Sequence, residues 1–374
     1  MIKTLDLGGT WKLRACDYHR GRPEYAIRDT TDETRYLDAQ VPGEVHLDLQ
    51  RQGLIDDPYS AINALRARWV EEYLWAYRHE FVAPQVGAGR AWLVFDRLDY
   101  FATVYLNGVE VGRHSNVFYP CRIDVTGKLR EGRNVLAVVL DAGMIETAYS
   151  PAEGYLPAWD RCVPKRHLLR KPQCQFTWDW SIRLVNVGIT GGVRLEYTDA
   201  PARLGQLVPL VHLHDDLSHA RVQVRQFVES LRSEPVQATL HAELLEAGIS
   251  TSVAVDIKPG DAFVEAWLDL ANPQLWWPVG HGPQNRYTLS VRLEAGGQVL
   301  GQMQTKIGFR RVTVNQDPHP SGGNYFTIEI NNRKIFAKGG NFVPADMIFH
   351  RIDRDRYAKL VDLAHDANVN FLRV

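Results

Sequence analysis

Short segments in which apolar and polar residues alternate, separated by turn residues, constrain the fold of this chain most strongly. The stretch AWLVFDRLDYFATVYLNGVEVGRH contains two such segments, and its Asn107-Gly108 pair is a strong signal for a two-residue β-hairpin. RNVLAVVLD and GGVRLEY continue the pattern. Short strands at this spacing predict an antiparallel sandwich over residues 1–200, large enough for a jelly roll.

A second β unit is predicted over residues 201–310, where seven further segments alternate in the same way. They are LVPLVHLHD, HARVQVRQFVE, VQATLHAELLE, TSVAVDIKPG, FVEAWLDL, RYTLSVRLEA and VLGQMQTKIGF. This number of strands and this length suit an immunoglobulin-like sandwich. The segment contains no cysteine, so packing of its apolar side chains has to hold it together.

The pattern changes in a third segment, residues 311–374. YFTIEINNRKIFAKGGNFVP predicts a hairpin followed by a buried strand, and DRDRYAKLVDLAHDANVNFLRV predicts a helix followed by another strand. A strand, a crossover helix and a second strand form the opening unit of a parallel α/β domain. The predicted fold class is therefore mainly β, with one β/α unit after two sandwiches.

Length and charge limit the possible functions. The chain has 374 residues, enough for two or three domains, and a formal net charge of -1. This balance provides no field that would attract nucleic acid or an anionic membrane surface. No apolar run approaches the roughly 18 residues that a membrane span needs. We therefore expect a neutral small molecule as the binding partner, with no nucleic acid and no membrane.

The cysteines and the N-terminal residues bear on localisation. Cys16, Cys121, Cys162 and Cys174 show no CxxC spacing, and we expect four free thiols in a reducing compartment. The first residues, MIKTLDLGGTWKL, alternate like a strand and do not resemble the apolar core of a signal peptide. The sequence thus predicts an unexported, cytoplasmic protein.

The segment FTWDWS places the carboxylate of Asp179 between two indoles. Burial of an unpaired charge costs free energy, and exposure of two indoles leaves large apolar surfaces in water. Two interpretations follow from the residues. One is a tryptophan pair in the sandwich core, with Asp179 salt-bridged to a neighbour such as Arg183. The other is a loop that binds a ligand.

Nine segments resemble, in sequence and in order, family 2 of the glycoside hydrolases, and their combination is similar to the β-mannosidase branch. They are VPGEVHLDL, DPYSAIN, RWVEEYLWAYRHEF, VYLNGVEVG, RKPQCQFTWDWS, LWWPVGHGPQNRYTL, IGFRRV, KGGNFVPAD and NVNFLRV. The resemblance covers essentially the whole chain. It implies a sugar-binding jelly roll, an immunoglobulin-like sandwich and a (β/α)8 TIM barrel that carries the catalytic carboxylates.

A barrel of this kind needs about 250 residues, whereas roughly 50 follow Tyr325. We therefore expect a truncated TIM barrel, and the chain to be the N-terminal part of a longer enzyme. The resemblance implies that the parent enzyme hydrolyses terminal non-reducing β-D-mannose residues with retention, using one Glu as acid and another as nucleophile. It implies no cofactor.

The acid of such enzymes usually lies in an Asn-Glu pair, and this chain contains no Asn-Glu dipeptide. The sequence therefore provides a position for neither catalytic Glu, and residues 1–374 alone are expected to be inactive. Two alternatives stay open. One is another family 2 exo-glycosidase: a β-galactosidase, a β-glucuronidase or an exo-glucosaminidase. The other is a non-catalytic carbohydrate-binding module.

The resemblance implies that Trp178, Asp179 and Trp180 line the pocket for the terminal mannose. Sugars present apolar C–H faces and a rim of hydroxyls, which an aromatic wall with a charged acceptor matches. Arg373 ends the second predicted barrel strand, and the resemblance implies that it orients the nucleophilic carboxylate. Asn341, after the first barrel strand, is a weaker candidate for the same mouth of the barrel.

Asp346 is also a weak candidate, since an Asp that starts a loop needs no further explanation. Two positions depart from the family pattern. Ser181 stands where the family usually has Gly, and Ala64 follows Asn63 where the family usually has Glu. The loss of an acid at Ala64 removes any contact that this Glu makes in relatives.

Two other segments offer weaker signals. HLHDD, which begins at His212, contains residue types that bind metals, but a zinc site needs three or four convergent ligands. RCVPKRHLLRKPQ is basic, but the near-neutral chain has no nucleic-acid-binding motif. We therefore predict no metal site and no phosphate site in either segment.

Overall fold

The structure is a computed structural model. The residues that it describes are 1–16, 23–85, 89–148, 150–151 and 165–374, without the side chains of residues 261 and 262. Cys162 and the first part of the basic segment lie outside these residues. Contacts divide the chain into two compact units. The first unit comprises Lys3–Thr198 and Pro344–Arg354, and the second comprises Met1–Ile2, Asp199–Val343 and Asp355–Val374.

The first unit contains two antiparallel sheets. The six-stranded sheet has, in spatial order, β3 (Leu37–Val41), β2 (Gly9–Cys16), β4 (Leu74–Ala83), β9 (Gly132–Asp141), β6 (Phe101–Leu106) and β7 (Val109–His114). The four-stranded sheet has β1 (Lys3–Asp6), β12 (Val193–Thr198), β5 (Arg90–Phe95) and β8 (Cys121–Asp124). The sequence prediction of a β sandwich in this segment is confirmed.

One apolar core joins the two sheets of the first unit. Trp11 and Tyr77 of the six-stranded sheet belong to the same buried cluster as Leu93 and Leu195 of the four-stranded sheet. Each buried side chain of this size contributes about 1.5–3 kcal/mol relative to an exposed one. The alternation read from the sequence thus corresponds to one face of each sheet turned toward this core.

The predicted hairpin at Asn107 and Gly108 is present between β6 and β7. Both residues have positive φ, 54° and 81°, which a two-residue type I′ turn requires. Asn and Gly tolerate this conformation better than other residues, and this tolerance explains the strength of the sequence signal.

The other elements among the described residues of the first unit are short helices and one isolated hairpin. The α-helices are α1 (Glu24–Ile27), α2 (Val45–Arg51), α3 (Asn63–Arg66) and α4 (Met144–Ala148). The 3-10 helices are Arg68–Glu72, Arg166–Leu168, Gln173–Gln175 and Phe349–Arg351. The isolated hairpin consists of β10 (Phe176–Trp178) and β11 (Ser181–Arg183).

The second unit contains all seven strands predicted for residues 201–310. Three form one sheet, in the order β13 (Ala202–Leu213), β14 (His219–Ser230) and β17 (Gly260–Ala271). Four form the other, in the order β16 (Ile249–Ile257), β15 (Val236–Leu244), β18 (Tyr287–Ala295) and β19 (Gln298–Ile307). A 3-10 helix, Leu245–Ala247, connects two strands. One buried cluster contains Val222 and Leu268 of the first sheet and Leu240 and Leu289 of the second.

The remaining elements begin with an antiparallel meander. It consists of β20 (Val312–Asn315), β21 (Thr327–Ile330) and β22 (Arg333–Ile335). β23 (Gly339–Asn341), the helix α5 (Arg354–Asp366) and β24 (Phe371–Arg373) then form a strand–helix–strand unit, in which the two strands pair in parallel. The predicted opening β/α unit is therefore present.

One detail of the prediction for this segment is wrong. β23 was expected to be buried, but all three of its residues are exposed. The strand has a single hydrogen-bonded neighbour, β24, among the described residues, so its faces are left open. None of the described helices is long and apolar enough to cross a membrane.

Candidate functional site

The tryptophan–aspartate–tryptophan segment forms the end of the β10–β11 hairpin. Trp178 pairs with Ser181, so Asp179 and Trp180 are the two residues of the turn. The side chains of Trp178 and Trp180 are 50% and 42% exposed, and Asp179 is exposed as well. Among the described residues, none forms a hydrogen bond or an ion pair with the Asp179 carboxylate. No described residue therefore competes with a ligand for the hydrogen bonds of this carboxylate.

The alternative interpretation of this segment does not hold. Arg183, which it pairs with Asp179, instead forms an ion pair with the buried side chain of Glu71. The two indoles are also too exposed to form a core pair. The ligand-binding interpretation stays a prediction.

The hairpin is held at its base. Phe176 is fully buried in the core of the first sandwich, and the Leu184 backbone N–H donates to the Gln175 carbonyl at 2.9 Å. Thr177 has a φ of 91°, a strained conformation for a β-branched residue. Such a conformation persists only where surrounding contacts determine it, so the path of this hairpin is imposed by its neighbours.

Ser181, a departure from the family pattern, fits this hairpin. Its hydroxyl donates to the Cys174 carbonyl at 3.0 Å, and its own carbonyl accepts from the Thr177 hydroxyl at 3.3 Å. The Ser181 side chain thus connects β11 to the residues that precede β10.

Arg166 is a neighbour of the site that sequence reasoning did not single out for this role. Its guanidinium carbon lies 5.6 Å from the centre of the Trp178 ring, within the range of a cation–π interaction. The guanidinium also donates to the carbonyls of Gln173 and Thr177, both at 3.5 Å. The basic segment upstream of FTWDWS was the only signal for this contact.

The position of the second departure lies close to the hairpin. Ala64 is part of α3, which lies beside β11. A methyl group stands there in place of the carboxylate usual in the family. It accepts no hydrogen bond, so this side of the hairpin lacks one charged acceptor.

Asp346 forms a polar contact within the first unit. Its carboxylate accepts hydrogen bonds from the Tyr59 hydroxyl at 2.5 Å and from the Ile348 backbone at 2.9 Å, and lies 3.2 Å from the Arg351 Nε. The Tyr59 oxygen accepts from the Met347 N–H at 2.8 Å. Burial and the hydrogen bond to Asp346 raise the pKa of Tyr59 to about 12. Asp346 therefore anchors residues 344–354, and Tyr59, which lies in the DPYSAIN segment, was assigned no role from the sequence.

The same segment packs against the residues around the hairpin. Met347 and Ile348 form a buried apolar cluster with Leu184, which follows β11. The partly buried side chains at its edge are Leu47, Cys174 and Ile182. The hairpin is therefore supported by apolar packing on one side, in addition to the contacts at its base.

Arg373 and Asn341 lie together in the second unit. They are paired in the parallel register of β23 and β24, and the Arg373 guanidinium donates to the Asn341 side-chain oxygen at 3.1 Å. Both residues are exposed. The structure thus brings these two candidates together, whereas Trp178, Asp179 and Trp180 belong to the first unit.

The HLHDD segment has other contacts. The ring of His212 stacks on Trp267 and that of His214 lies against His219, while Asp216 accepts hydrogen bonds from Ser218. No group of three or more His, Cys, Asp or Glu residues is placed to hold a metal ion within the described part of the chain.

Three of the four cysteines can be described. Cys16, Cys121 and Cys174 are free thiols, and Cys162 lies outside the described residues. Burial raises the pKa of the Cys121 thiol to about 11. This thiol is therefore protonated and unreactive at neutral pH.

Two family models match the chain. The first, described as a galactose-binding domain-like region of glycosyl hydrolase 2, matches residues 25–191, and the second, glycosyl hydrolases family 2, matches residues 203–310.

Similar proteins include two fungal enzymes named beta-mannosidase B. That of Thermothelomyces thermophilus is 34% identical over 359 residues, which are 94% of this chain and 41% of the relative. That of Emericella nidulans is 35% identical over 339 residues, which are 89% of this chain and 40% of the relative. The chain thus spans about two fifths of the length of these relatives.

Two solved structures are similar as well. The beta-D-mannosidase from Dictyoglomus thermophilum has a TM-score of 0.84 and 31% identity, over 100% of this chain and 44% of that chain. The exo-chitosanase of Amycolatopsis orientalis has a TM-score of 0.73 at 20% identity, over 99% of this chain and 40% of that chain, which shows a shared fold alone.

Proposed function

We propose, from the premise that this chain belongs to glycoside hydrolase family 2, that it is the N-terminal part of a β-mannosidase. The parent enzyme hydrolyses terminal non-reducing β-D-mannose residues with retention. The observation that carries this proposal is the hairpin with two exposed indoles beside a carboxylate that has no partner among the described residues. The identity to β-mannosidases along nearly the whole chain supports the same conclusion.

Each candidate residue has a role in this proposal. Trp178 and Trp180 pack against the apolar C–H faces of the terminal mannose, and Asp179 accepts hydrogen bonds from hydroxyls near the reacting carbon. Arg373, hydrogen-bonded to Asn341, orients the carboxylate that attacks the anomeric carbon. The acid and the nucleophile come from the part of the parent enzyme beyond this chain.

The domain organisation is part of the proposal. Residues 1–200 form the sugar-binding jelly roll, residues 201–310 the immunoglobulin-like sandwich, and residues 311–374 the first part of the catalytic (β/α)8 barrel. The parallel strand–helix–strand unit of β23, α5 and β24 supports the last assignment. So does the exposed apolar surface of α5, at Tyr357 and Leu363, which further barrel elements would cover.

Residues 1–374 alone are inactive in this proposal. Retaining hydrolysis requires two carboxyl groups about 5 Å apart across the scissile bond, and the candidate site residues supply no such pair. A location in the reducing cytoplasm stays a prediction, as does the absence of a cofactor.

The test uses the full open reading frame and the variant Asp179→Ala. We expect kcat/KM for p-nitrophenyl β-mannoside to fall by roughly 100- to 1000-fold, because about 3–4 kcal/mol of transition-state stabilisation is lost. Asp38→Ala is the matched control, since Asp38 is an exposed carboxylate on β3 of the same sandwich. Its kcat/KM should equal that of the parent.

The substrate panel separates the alternatives. Turnover of a β-galactoside, a β-glucuronide or a β-glucosaminide in preference to the mannoside would assign another family 2 activity. Binding without turnover in the full-length protein would identify a carbohydrate-binding module.

An Asp179→Ala enzyme that melts early, but keeps its kcat/KM per folded molecule, would show that Asp179 is structural. Turnover by residues 1–374 near that of the full-length protein would reveal a catalytic pair within this chain.

A further inference from the structure

The residues on both sides of the hairpin converge on one buried ion pair. The Lys171 ammonium lies 2.6 Å from the Asp99 carboxylate, and the two side chains are 0% and 3% exposed. The ammonium also donates to the carbonyls of Ala142, at 3.1 Å, and Asn186, at 2.8 Å. The ammonium thus has the Asp99 carboxylate as its ion-pair partner and two backbone carbonyls as hydrogen-bond acceptors.

Gln175 connects the same carboxylate to both ends of the hairpin segment. Its side-chain amide donates to Asp99 at 3.4 Å, and its side-chain oxygen accepts from the Asn186 backbone N–H at 3.1 Å. Lys171 and Gln175 precede β10, whereas Asn186 follows β11. The two ends of residues 171–186 are therefore tied together and to Asp99.

Asp99 itself is attached to the sandwich. Its backbone N–H donates to the Gly188 carbonyl at 2.9 Å, and its carbonyl accepts from the Gly188 N–H at 2.7 Å. The chain then enters β6, a strand of the six-stranded sheet. The backbone of Asp99, whose carboxylate contacts Lys171 and Gln175, is thus fixed by hydrogen bonds next to β6.

Stability alone does not account for this arrangement. The desolvation of two buried charges offsets most of their mutual attraction, and apolar residues of similar volume often stabilise a core equally well or better. The core around the pair is largely apolar, but the buried carboxyl groups of Glu44 and Asp141 also interact electrostatically with Lys171. In some proteins a buried ion pair that adds little stability selects one conformation over others.

The hairpin needs such selection. It has two paired positions on each strand, and an isolated two-stranded hairpin is marginally stable in water. Its turn nevertheless presents two half-exposed indoles in a fixed place. The contacts at its base therefore have to determine where these rings lie.

We infer that Lys171, Asp99 and Gln175 are positioning residues, whose buried network holds the Trp178–Trp180 hairpin in the geometry that binds the sugar. This inference rests on the proposed function for its ligand. The network itself touches neither the indoles nor Asp179, and it acts through the two ends of the hairpin.

The test replaces the ion pair by apolar residues of similar size, in the full-length enzyme, as the double variant Asp99→Leu/Lys171→Met. This change removes both charges of the pair together, so the protein should fold. Its Tm should fall modestly, because the buried Glu44 and Asp141 also lose the favourable charge of Lys171. We expect KM for p-nitrophenyl β-mannoside to rise by about tenfold or more, because the substrate-binding wall is no longer held in place. Gln175→Met, which keeps the ion pair, should raise KM by a smaller factor in the same direction.

The matched control is a second buried cation of the same sandwich. The Arg78 guanidinium is paired with Glu33 at 2.7 Å and donates to the carbonyls of Ala26 and Arg28, so its set of partners is like that of Lys171. It lies on β4. The double variant Arg78→Met/Glu33→Leu should leave KM unchanged.

A readout independent of catalysis is the 19F NMR spectrum of protein labelled with 5-fluorotryptophan. Resonances of Trp178 and Trp180, assigned by Trp→Phe variants, should shift or broaden in the Asp99→Leu/Lys171→Met and Gln175→Met proteins, and stay in place in the control. Unchanged resonances and unchanged KM in Gln175→Met and in the folded double variant would overturn the inference. Shifted resonances in a full-length protein without mannosidase activity would support the positioning network and overturn the proposed function.

Discussion

The two sandwiches of this chain bury very different kinds of side chain. Buried charged residues of the first sandwich include Glu44, Asp48, Arg78, Asp99 and Lys171. In the second unit, the buried polar side chains among the described residues are Gln226, Ser230, Ser290 and Asn331. None of these four is charged. A buried charge costs free energy unless it is paired. The core of the second sandwich, which contains no buried charge among the described residues, avoids this cost.

Three of these buried charges share a position in the fold. Asp99 precedes β6, Glu44 precedes α2, and Lys171 precedes the β10–β11 hairpin. These three charged groups lie just before an element begins, whereas Asp48 lies within α2 and Arg78 within β4. The second sandwich has strands of 9 to 12 residues whose ladders satisfy most backbone groups. Part of the buried charge of the first sandwich therefore lies beside irregular backbone, and the candidate site stands on such backbone.

The largest loss of stability is expected when one partner of the buried Lys171–Asp99 ion pair is removed. Asp99→Leu alone leaves the Lys171 ammonium buried without its ion-pair partner, and this should lower the free energy of unfolding of the first sandwich by about 3–5 kcal/mol. Urea denaturation of residues 1–374 measures it. Asp38→Leu, on the exposed part of β3, is the control and should have little effect. Equal losses in the two variants would contradict the importance of the buried pair.

A cavity in the apolar core of the second sandwich should cost slightly less and act differently. Leu289→Ala removes a fully buried side chain of β18 and should destabilise by about 2–5 kcal/mol. We expect kcat/KM per folded full-length molecule to stay at the parental value, in contrast to variants of the Lys171 network. A fall in kcat/KM without unfolding would mean that the second core also positions the site.

The cost of burying charge in the first sandwich can be tested at Glu44, by measuring Tm as a function of pH. Burial raises the pKa of its carboxyl above the ordinary value of 4.5, against the effect of the hydrogen bond to His46. An acid whose pKa is raised in the folded state contributes stability below its unfolded pKa, and this contribution is lost as the pH rises through the folded pKa. Glu44→Gln should therefore gain Tm relative to the parent as the pH is raised from 4.5 to neutral.

The control for Glu44 is Glu131→Gln, which changes an exposed residue. Its Tm difference from the parent should be nearly the same at every pH. If the Tm of the Glu44→Gln protein follows that of the parent across the pH range, burial does not raise the pKa of Glu44.

The smallest effect is expected at the half-exposed contact of residues 344–354. Tyr59→Phe removes the hydroxyl that bonds Asp346 and the Met347 N–H, and should cost about 1–2 kcal/mol in the free energy of unfolding. Tyr119→Phe, at an exposed tyrosine of the same unit, should cost almost nothing. If the two losses are equal, the Tyr59 contact does not hold this segment.

Most strands could be predicted from the sequence because burial on one face of a sheet leaves a period of two in the chain. The seven strands of the second sandwich and the turn at Asn107-Gly108 follow from this local rule. The burial of β23 could not be predicted in the same way. Whether a strand is buried depends on the elements that pack against it, and these elements are not given by its own sequence.

The candidate site was predicted in part. Trp178, Asp179 and Trp180 stood out because their order in the sequence is unusual, and Arg373 and Asn341 because of where their strands end. The supports of the site gave no such signal. Lys171 reads as one more basic residue, and Gln175 and Tyr59 as ordinary polar ones, since a single residue does not reveal what lies opposite it.

The sequence by itself determined the strands and the turn at Asn107-Gly108, because these depend on residues near one another in the chain. The site residues were singled out by a resemblance, and their roles stay predictions. Only the tertiary structure decided the polar pairing. Gln175 meets Asp99 across 76 residues, Arg183 meets Glu71 across 112, and Tyr59 meets Asp346 across 287. A charge or hydroxyl pairs with whatever the folded backbone brings within about 3 Å, and that distance is set by the packing of whole sheets.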